Sequence, residues 1–350
     1  MQTTARLLLW AVSLLVLSSV STYAADPPAV QISNGVMRAS VYLPDSDRGY
    51  YRGGRFDWSG VISRLEYAGH NYFGVWFPNS EPTLHDAITG PVEEFRSDEG
   101  ALGFAEAKPG DLFVKIGVGV LQKPDSKPYE FARNYRIVST GVWVIRPQAD
   151  RIEFTQELKG INGYAYVYTK KLRLVKGRPE LILEHSLKNT GKRAITTQVY
   201  DHDFYVIDGQ PTGPGFSVKF PFKPKPVTEL NEAAVIRANE VVYQRDLRAG
   251  DHDSVAGYLT GFGASPKDYD IRVENSKVKA GVEQTGDRPL SKLYLWSVRT
   301  TVCPEAYIAL NIEPKKTAKW QIKYRFYTLP ERERKGQATP APVRVSPADR

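Results

Sequence analysis

The sequence predicts an all-β protein, an extended antiparallel β-sandwich, on three observations. Strand-length runs with period-two alternation recur along the chain, turn signals separate them, and long amphipathic helical periods are missing. The alternating runs cover residues 36–43, 113–120, 142–146, 152–158, 164–174, 180–187, 195–207, 292–299, 307–312 and 320–327. Between them fall Asn162-Gly163, Lys176-Gly177-Arg178-Pro179, Asn189-Thr190-Gly191, Gly213-Pro214-Gly215 and Thr285-Gly286-Asp287, dipeptides and clusters that turn a chain. Only residues 229–240 offer enough periodicity for a short helix. No Pro/Ser/Gly linker divides the middle and no internal repeat is evident. The reading is therefore one sandwich domain over residues 25–330. After Pro330 the hydrophobic pattern stops, and residues 331–350 read as a disordered tail.

Residues 1–24 read as a cleaved signal peptide. Arg6 precedes an apolar run from Leu7 to Leu17, and Thr22-Tyr23-Ala24 supplies small residues for cleavage. The apolar run is too short for a membrane span. The expected location is therefore secreted or periplasmic, without membrane insertion. The net charge of +8 comes from scattered basic residues. Nucleic-acid binding needs a clustered basic footprint, so no nucleic-acid partner is expected. Cys303 is the only cysteine, which excludes an intrachain disulfide. With no dedicated partner base in the sequence, it reads as a buried small side chain.

Two segments carry the chemistry. In Tyr200-Asp201-His202-Asp203-Phe204, alternation sets Tyr200, His202 and Phe204 on one strand face. In Thr301-Val302-Cys303-Pro304-Glu305, Cys303, Glu305 and Tyr307 share a face in the same way. A histidine and a glutamate beside aromatic rings suit a general acid and base acting on a polar ring substrate. Asp201 and Asp203 lie opposite His202, so the three cannot chelate one ion from a regular strand, and no metal site is assigned. These flanking carboxylates are expected to raise the His202 pKa. Pro304 cannot donate to a ladder and marks a strand edge, end or bulge.

Further candidates lie in residues 53–58 and 84–95. Arg55 offers a planar fork to hydroxyls or a carboxylate, and Trp58 offers a ring for stacking. The pair Gly53-Gly54 lacks the strand–loop–helix context of a phosphate loop. Glu93 and Glu94 point to opposite faces of an extended segment, so one alone can enter a site. Asp251-His252-Asp253 reads as a surface loop with a weak metal option.

These residues resemble a known superfamily. Val302-Cys303-Pro304-Glu305 is similar to the Cys-x-Glu segment that carries the catalytic glutamate of glucose-6-phosphate 1-epimerases. Leu293-Tyr294-Leu295-Trp296 resembles the apolar strand ending in Trp that precedes it. Tyr200-Asp201-His202-Asp203-Phe204 resembles the segment around the catalytic histidine of aldose 1-epimerases. Glu313-Pro314-Lys315 through Trp320 resembles the turn after the glutamate, with Lys315 in place of the usual glycine. The chain order of Arg55, His85, His202 and Glu305 also fits. The resemblance to galactose mutarotase-like proteins implies their supersandwich fold, with a cleft across the concave sheet.

It further implies an aldose 1-epimerase-like reaction on a sugar or oligosaccharide. Glu305 takes the proton of the anomeric hydroxyl and His202 gives one to the ring oxygen. Arg55 and His85 hold hydroxyls, Tyr200 or Trp58 supplies a stacking surface, and no cofactor is needed. Two other readings stay open at this level, because the same fold serves several functions. One is a polysaccharide lyase or glycoside hydrolase, in which Glu94 joins Glu305. The other is a carbohydrate-binding protein without catalysis. The oligomeric state is not legible.

Overall fold

The computed structural model describes residues 26–77, 81–97, 100–250 and 252–330. The expected signal peptide and tail lie outside the described residues. Among the described residues the chain forms antiparallel strands and a single 3-10 turn at Pro266–Asp268.

The largest sheet has ten strands. Its order is Ala234–Arg237, Glu240–Tyr243, Phe216–Lys219, Asp270–Asn275, Ala280–Gly286, Thr317–Thr328, Glu180–Asn189, Tyr164–Leu174, Arg151–Ile161 and Val142–Pro147. Facing it is a six-stranded sheet in the order Lys225–Pro226, Val255–Thr260, Lys292–Val298, Thr301–Ile312, Ile195–His202 and Val92–Arg96. A four-stranded sheet (Ala29–Ser33, Met37–Tyr42, Val61–Tyr67, His70–Asn71) and a three-stranded one (Leu112–Lys115, Gly119–Gln122, Ile137–Ser139) complete the layers.

Alternation explains why these strands stack. Leu172, Leu174, Leu183, Leu187, Ile322 and Tyr324 project from the large sheet into one apolar cluster. Val199, Leu293, Leu295, Ile308 and Leu310 meet them from the six-stranded sheet. Burying such side chains contributes roughly 1.5–3 kcal/mol each. A second cluster covers the outer face of the six-stranded sheet. It is built from Tyr51, Phe56, Trp58, Trp76, Ile88, Phe104, Phe113 and Tyr135, with Phe204 and Cys303. The six-stranded sheet is thus apolar on both faces near His202, and polar groups there are shielded from water.

Several expectations are corrected. Residues 229–240 form no helix; Ala234–Arg237 and Glu240–Tyr243 pair as a hairpin instead. Short β-branched runs at a sheet end outweigh the local periodicity. Residues 113–120 are not one strand but a hairpin, Leu112–Lys115 against Gly119–Gln122. Its turn passes through Gly117 at φ 81°, where an added Cβ would meet Asp57 at 2.7 Å. The strand expected over 195–207 stops at His202, because Phe204 turns into the left-handed region at φ 44°. Pro304 sits inside the strand Thr301–Ile312, paired with Leu295 on one side. On the other side the ladder to the His202 strand runs only from Ile312 to Ile308, with an isolated bridge at Val302–Tyr205. Pro304 falls in that gap, so its missing N–H breaks no ladder bond.

Candidate functional site

Register brings the two segments together. The pairing Val199↔Ile308, carried on to the bridge Tyr205↔Val302, sets Tyr200 opposite Tyr307 and His202 opposite Glu305. All four project from the outer face. The His202 Nε2 lies 3.3 Å from the Glu305 Oε1, and the two side chains are only 4% and 5% exposed. Tyr307 donates its hydroxyl to the other Glu305 oxygen at 2.9 Å, and its ring stacks on Tyr200 at 4.1 Å. Phe204 stacks on the His202 imidazole at 3.8 Å, with Trp296 and Phe56 edge-on to it. The His202 Nδ1 is buried and has no hydrogen-bond partner among the described residues. A buried polar atom left this way at a site is a position a ligand group can satisfy.

The electrostatics invert the expected proton distribution. Burial, with the Arg55 charge adding to it and Asp86 and Glu94 opposing, brings the His202 pKa down from 6.5 to about 3. Burial outweighs Arg55 and the Tyr307 hydrogen bond, so the Glu305 pKa rises from 4.5 to about 8. At neutral pH the carboxyl is therefore protonated and the imidazole neutral. The expected upward shift of His202 does not occur. Asp201 and Asp203 face the other way, both bonded by the Tyr324 hydroxyl (2.5 and 3.0 Å), and burial holds their own pKa values well up. The largest effect on His202 is its own burial, and the two aspartates lie on the far side of the sheet from it.

Arg55 anchors the floor beside the pair. Its Nε donates to Glu94 at 2.8 Å, its Nη1 to Asp86 at 2.5 Å and its Nη2 to the Tyr200 hydroxyl at 3.2 Å. Tyr200 in turn donates to Glu94 at 2.5 Å, and the Lys115 ammonium reaches the second Glu94 oxygen at 3.1 Å. Glu94 is buried, yet Lys115, Arg55 and Arg96 hold its carboxylate far below the usual range. Glu93 faces the opposite way, into a second buried cluster with Lys170 and His185. The two glutamates do point to opposite faces.

The remaining candidates divide. His85 lies at the edge of this network, 3.2 Å from Asp86 and edge-on to Phe131. Phe131, in the loop before Ile137, covers the Arg55 guanidinium at 4.4 Å. Trp58 is directed elsewhere. Its indole donates to the Gly53 carbonyl at 2.9 Å and lines a separate cavity of about 520 Å³ with Arg52, Thr83 and Tyr135. Cys303 is buried, its Sγ accepts from the Phe204 N–H at 3.2 Å, and burial pushes its pKa well up, so it is no thiolate nucleophile.

Among the described residues no group of three or more His, Cys, Asp or Glu is gathered to hold a metal. Asp253 of the Asp-His-Asp loop forms a two-point pair with Arg245, and Asp251 lies outside the described residues. No helix among the described residues is long and apolar enough to cross a membrane.

Sequence reasoning missed Lys115, Asp86 and Phe131 as parts of this assembly. They sit in a hairpin and two loops with no pattern that points toward His202. Tyr307 carried a signal, since it shares the face of Glu305 two residues away.

Comparison with solved structures defines the class to which this architecture belongs. The chain is similar to the Slr1438 protein of Synechocystis sp. PCC 6803, with a TM-score of 0.55 and 12% identity over 89% of this chain and all (100%) of that one. It is similar to the GalM/aldose epimerase homologue from C. elegans, with a TM-score of 0.52 and 11% identity over 86% and 99% of the two chains. A galactose mutarotase related enzyme from Lactobacillus acidophilus gives 0.50 and 13% over 87% and 98%. The fold is the galactose mutarotase-like β-sandwich. No model of a known protein family matches the chain, and no curated protein matches it.

Proposed function

We propose that this protein is an exported carbohydrate-active enzyme that interconverts sugar anomers as an aldose 1-epimerase does. The observation that carries the reading is the His202–Glu305 pair, 3.3 Å apart in an aromatic, water-poor setting. The pair holds one transferable proton between about pH 3 and about 8.

The chemistry follows from that single proton. Glu305 gives it to the ring oxygen while His202 takes the proton of the anomeric hydroxyl. The C1–O5 bond breaks and the C1 carbonyl forms. Rotation about C1–C2 presents the other carbonyl face, and the reverse transfers close the ring as the opposite anomer. The proton given to the ring oxygen and the proton taken from the anomeric hydroxyl balance, so the pair needs no other reactant. This reverses the acid and base roles that the resemblance implies, because burial favours the neutral form of each group. Tyr307 orients Glu305 through its hydrogen bond. Arg55, its charge taken up by Glu94 and Asp86, braces the floor beside the pair.

The test is polarimetry of freshly dissolved single anomers with a panel of neutral, acidic and phosphorylated aldoses. Acceleration over the spontaneous rate supports the reading, and its absence across the panel overturns it. The hydrolase alternative gains nothing from Glu94, whose carboxylate is locked by Lys115, Arg55 and Tyr200. Export rests on the sequence of residues 1–24. Recovered extracellular or periplasmic protein should begin at or near Ala25; an intact Met1 on that material would refute cleavage, and recovery from the cytoplasm alone would refute export.

A further inference from the structure

A row of outer-face residues crosses four strands of the six-stranded sheet in register. Tyr258 is opposite Tyr294, Tyr294 is opposite Glu305, and the same outer-face register sets Glu305 opposite His202. Neighbouring strands lie about 4.8 Å apart, so Tyr258 stands roughly 10 Å from Glu305 along the row. A second sugar ring joined to one held at the pair would lie over that span. The two tyrosine rings touch at 4.7 Å between centroids, and Tyr258 is 43% exposed. Burial raises the Tyr294 pKa, and the nearby Glu305 and Tyr258 raise it further, so the platform and the pair share one field.

Lys292 completes the platform. Its ammonium sits 5.7 Å from the Tyr258 ring centroid and 5.4 Å from that of Tyr307, and no carboxylate among the described residues pairs with it. Elsewhere on this face the cations are consumed: Arg55 and Lys115 are bound to Glu94. Tyrosine faces suit the C–H faces of a sugar, while an unpaired ammonium suits an anion.

We propose that Tyr258, Tyr294 and Lys292 form a subsite for a negatively charged sugar unit linked to the ring held at His202 and Glu305, which makes the substrate class an acidic oligosaccharide. The proposal rests on the functional reading above for the position of the reacting ring. Tyr258 and Tyr294 carry the ring of the additional unit, and Lys292 neutralises its carboxylate. The subsite contributes binding, not proton transfer, and it favours chains over single sugars.

Calorimetric titration of the full protein with galacturonate, trigalacturonate and a neutral galactotriose tests this. Trigalacturonate should bind about tenfold or more tightly than galacturonate, and more tightly than the neutral trimer, with the difference shrinking as salt rises. Lys292→Met should remove most of the preference for charge and leave neutral-trimer binding in place. Tyr258→Ala, at an exposed position and with melting checked alongside, should weaken both trimers. Equal binding of monomer and trimer overturns the proposal, as does a charge preference that survives Lys292→Met. If trimer binding depends on Lys292 while no aldose is epimerised, the subsite stands and the epimerase reading fails. If aldoses are epimerised without any gain from chain length, only the subsite fails.

Discussion

Glu305 and His202 are two ionisable groups whose surroundings favour the uncharged form of each, and that single fact sets the residue-scale predictions. His202→Asn and Glu305→Gln should each lower anomer interconversion by on the order of 10²-fold or more, the usual contribution of a positioned proton-transfer group. Polarimetry alongside thermal melts separates this loss from unfolding. The pH–rate profile should be a broad bell belonging to the pair. Its acid limb, near pH 3, marks protonation of His202, and its alkaline limb, near pH 8, marks loss of the Glu305 proton. Tyr307→Phe removes a hydrogen bond that lowers the Glu305 pKa, so it should move the alkaline limb to higher pH. The same displacement has a stability consequence. The Glu305 pKa is raised on folding, so its favourable contribution is complete below about pH 4.5 and is lost as pH rises through about 8. Glu305→Gln should therefore be more stable than wild type at pH 9, by a few kcal/mol at about 1.4 kcal/mol per pKa unit, and melt at a higher temperature. Equal melting of the two proteins at pH 9 would contradict the buried, neutral carboxyl.

At the scale of elements, the site depends on how loops lie against the His202 strand. An added Cβ on Gly90 would meet the Asp203 carbonyl oxygen at 2.1 Å and that of His202 at 2.7 Å. The segment before Val92–Arg96 thus packs backbone against backbone where the His202 strand ends. Gly90→Ala should cost about 1–3 kcal/mol and displace His202, lowering both melting temperature and activity. Behind the same strands, Lys170 pairs with Glu93, which also accepts from or shares a proton with His185 at 2.5 Å. Burial pushes the Glu93 pKa up, but Lys170 and His185 more than offset it and bring it to about 2. Its contribution is present above its ordinary value near 4.5 and fades as pH falls through about 2. Lys170→Met strands that carboxylate, and denaturant titration should show a loss of about 3–5 kcal/mol at pH 7.

For the whole molecule, the paired sheets place long-range antiparallel pairing throughout, so far-ultraviolet circular dichroism should show a β-spectrum with little helical signal. The two-sided burial of the six-stranded sheet has a functional result. One face supplies the sandwich core, and the other holds the His202–Glu305 pair under an aromatic cover that keeps water from levelling their pKa values.

Period-two alternation by itself determined the strands Tyr164–Leu174, Glu180–Asn189 and Thr317–Thr328 nearly to their ends, because half-buried strands must alternate to keep one face dry. It also determined that His202 and Glu305 share faces with Tyr200 and Tyr307, since side-chain direction along a strand is local geometry. Val92–Arg96 was not legible because it is buried on both faces and carries no alternation, and Phe216–Lys219 was not because its alternation spans only four residues. Only the tertiary structure decided that the two segments pair in one register, that Arg55 is spent on Glu94 and Asp86, and that Trp58 faces a different cavity. It also decided where the proton rests. The sequence shows two aspartates beside His202, but their effect depends on which side of the sheet they face and how much water reaches them. Those are properties of packing: Asp201 and Asp203 lie behind the sheet with their pKa values pushed up by burial, while burial keeps His202 uncharged in front of it.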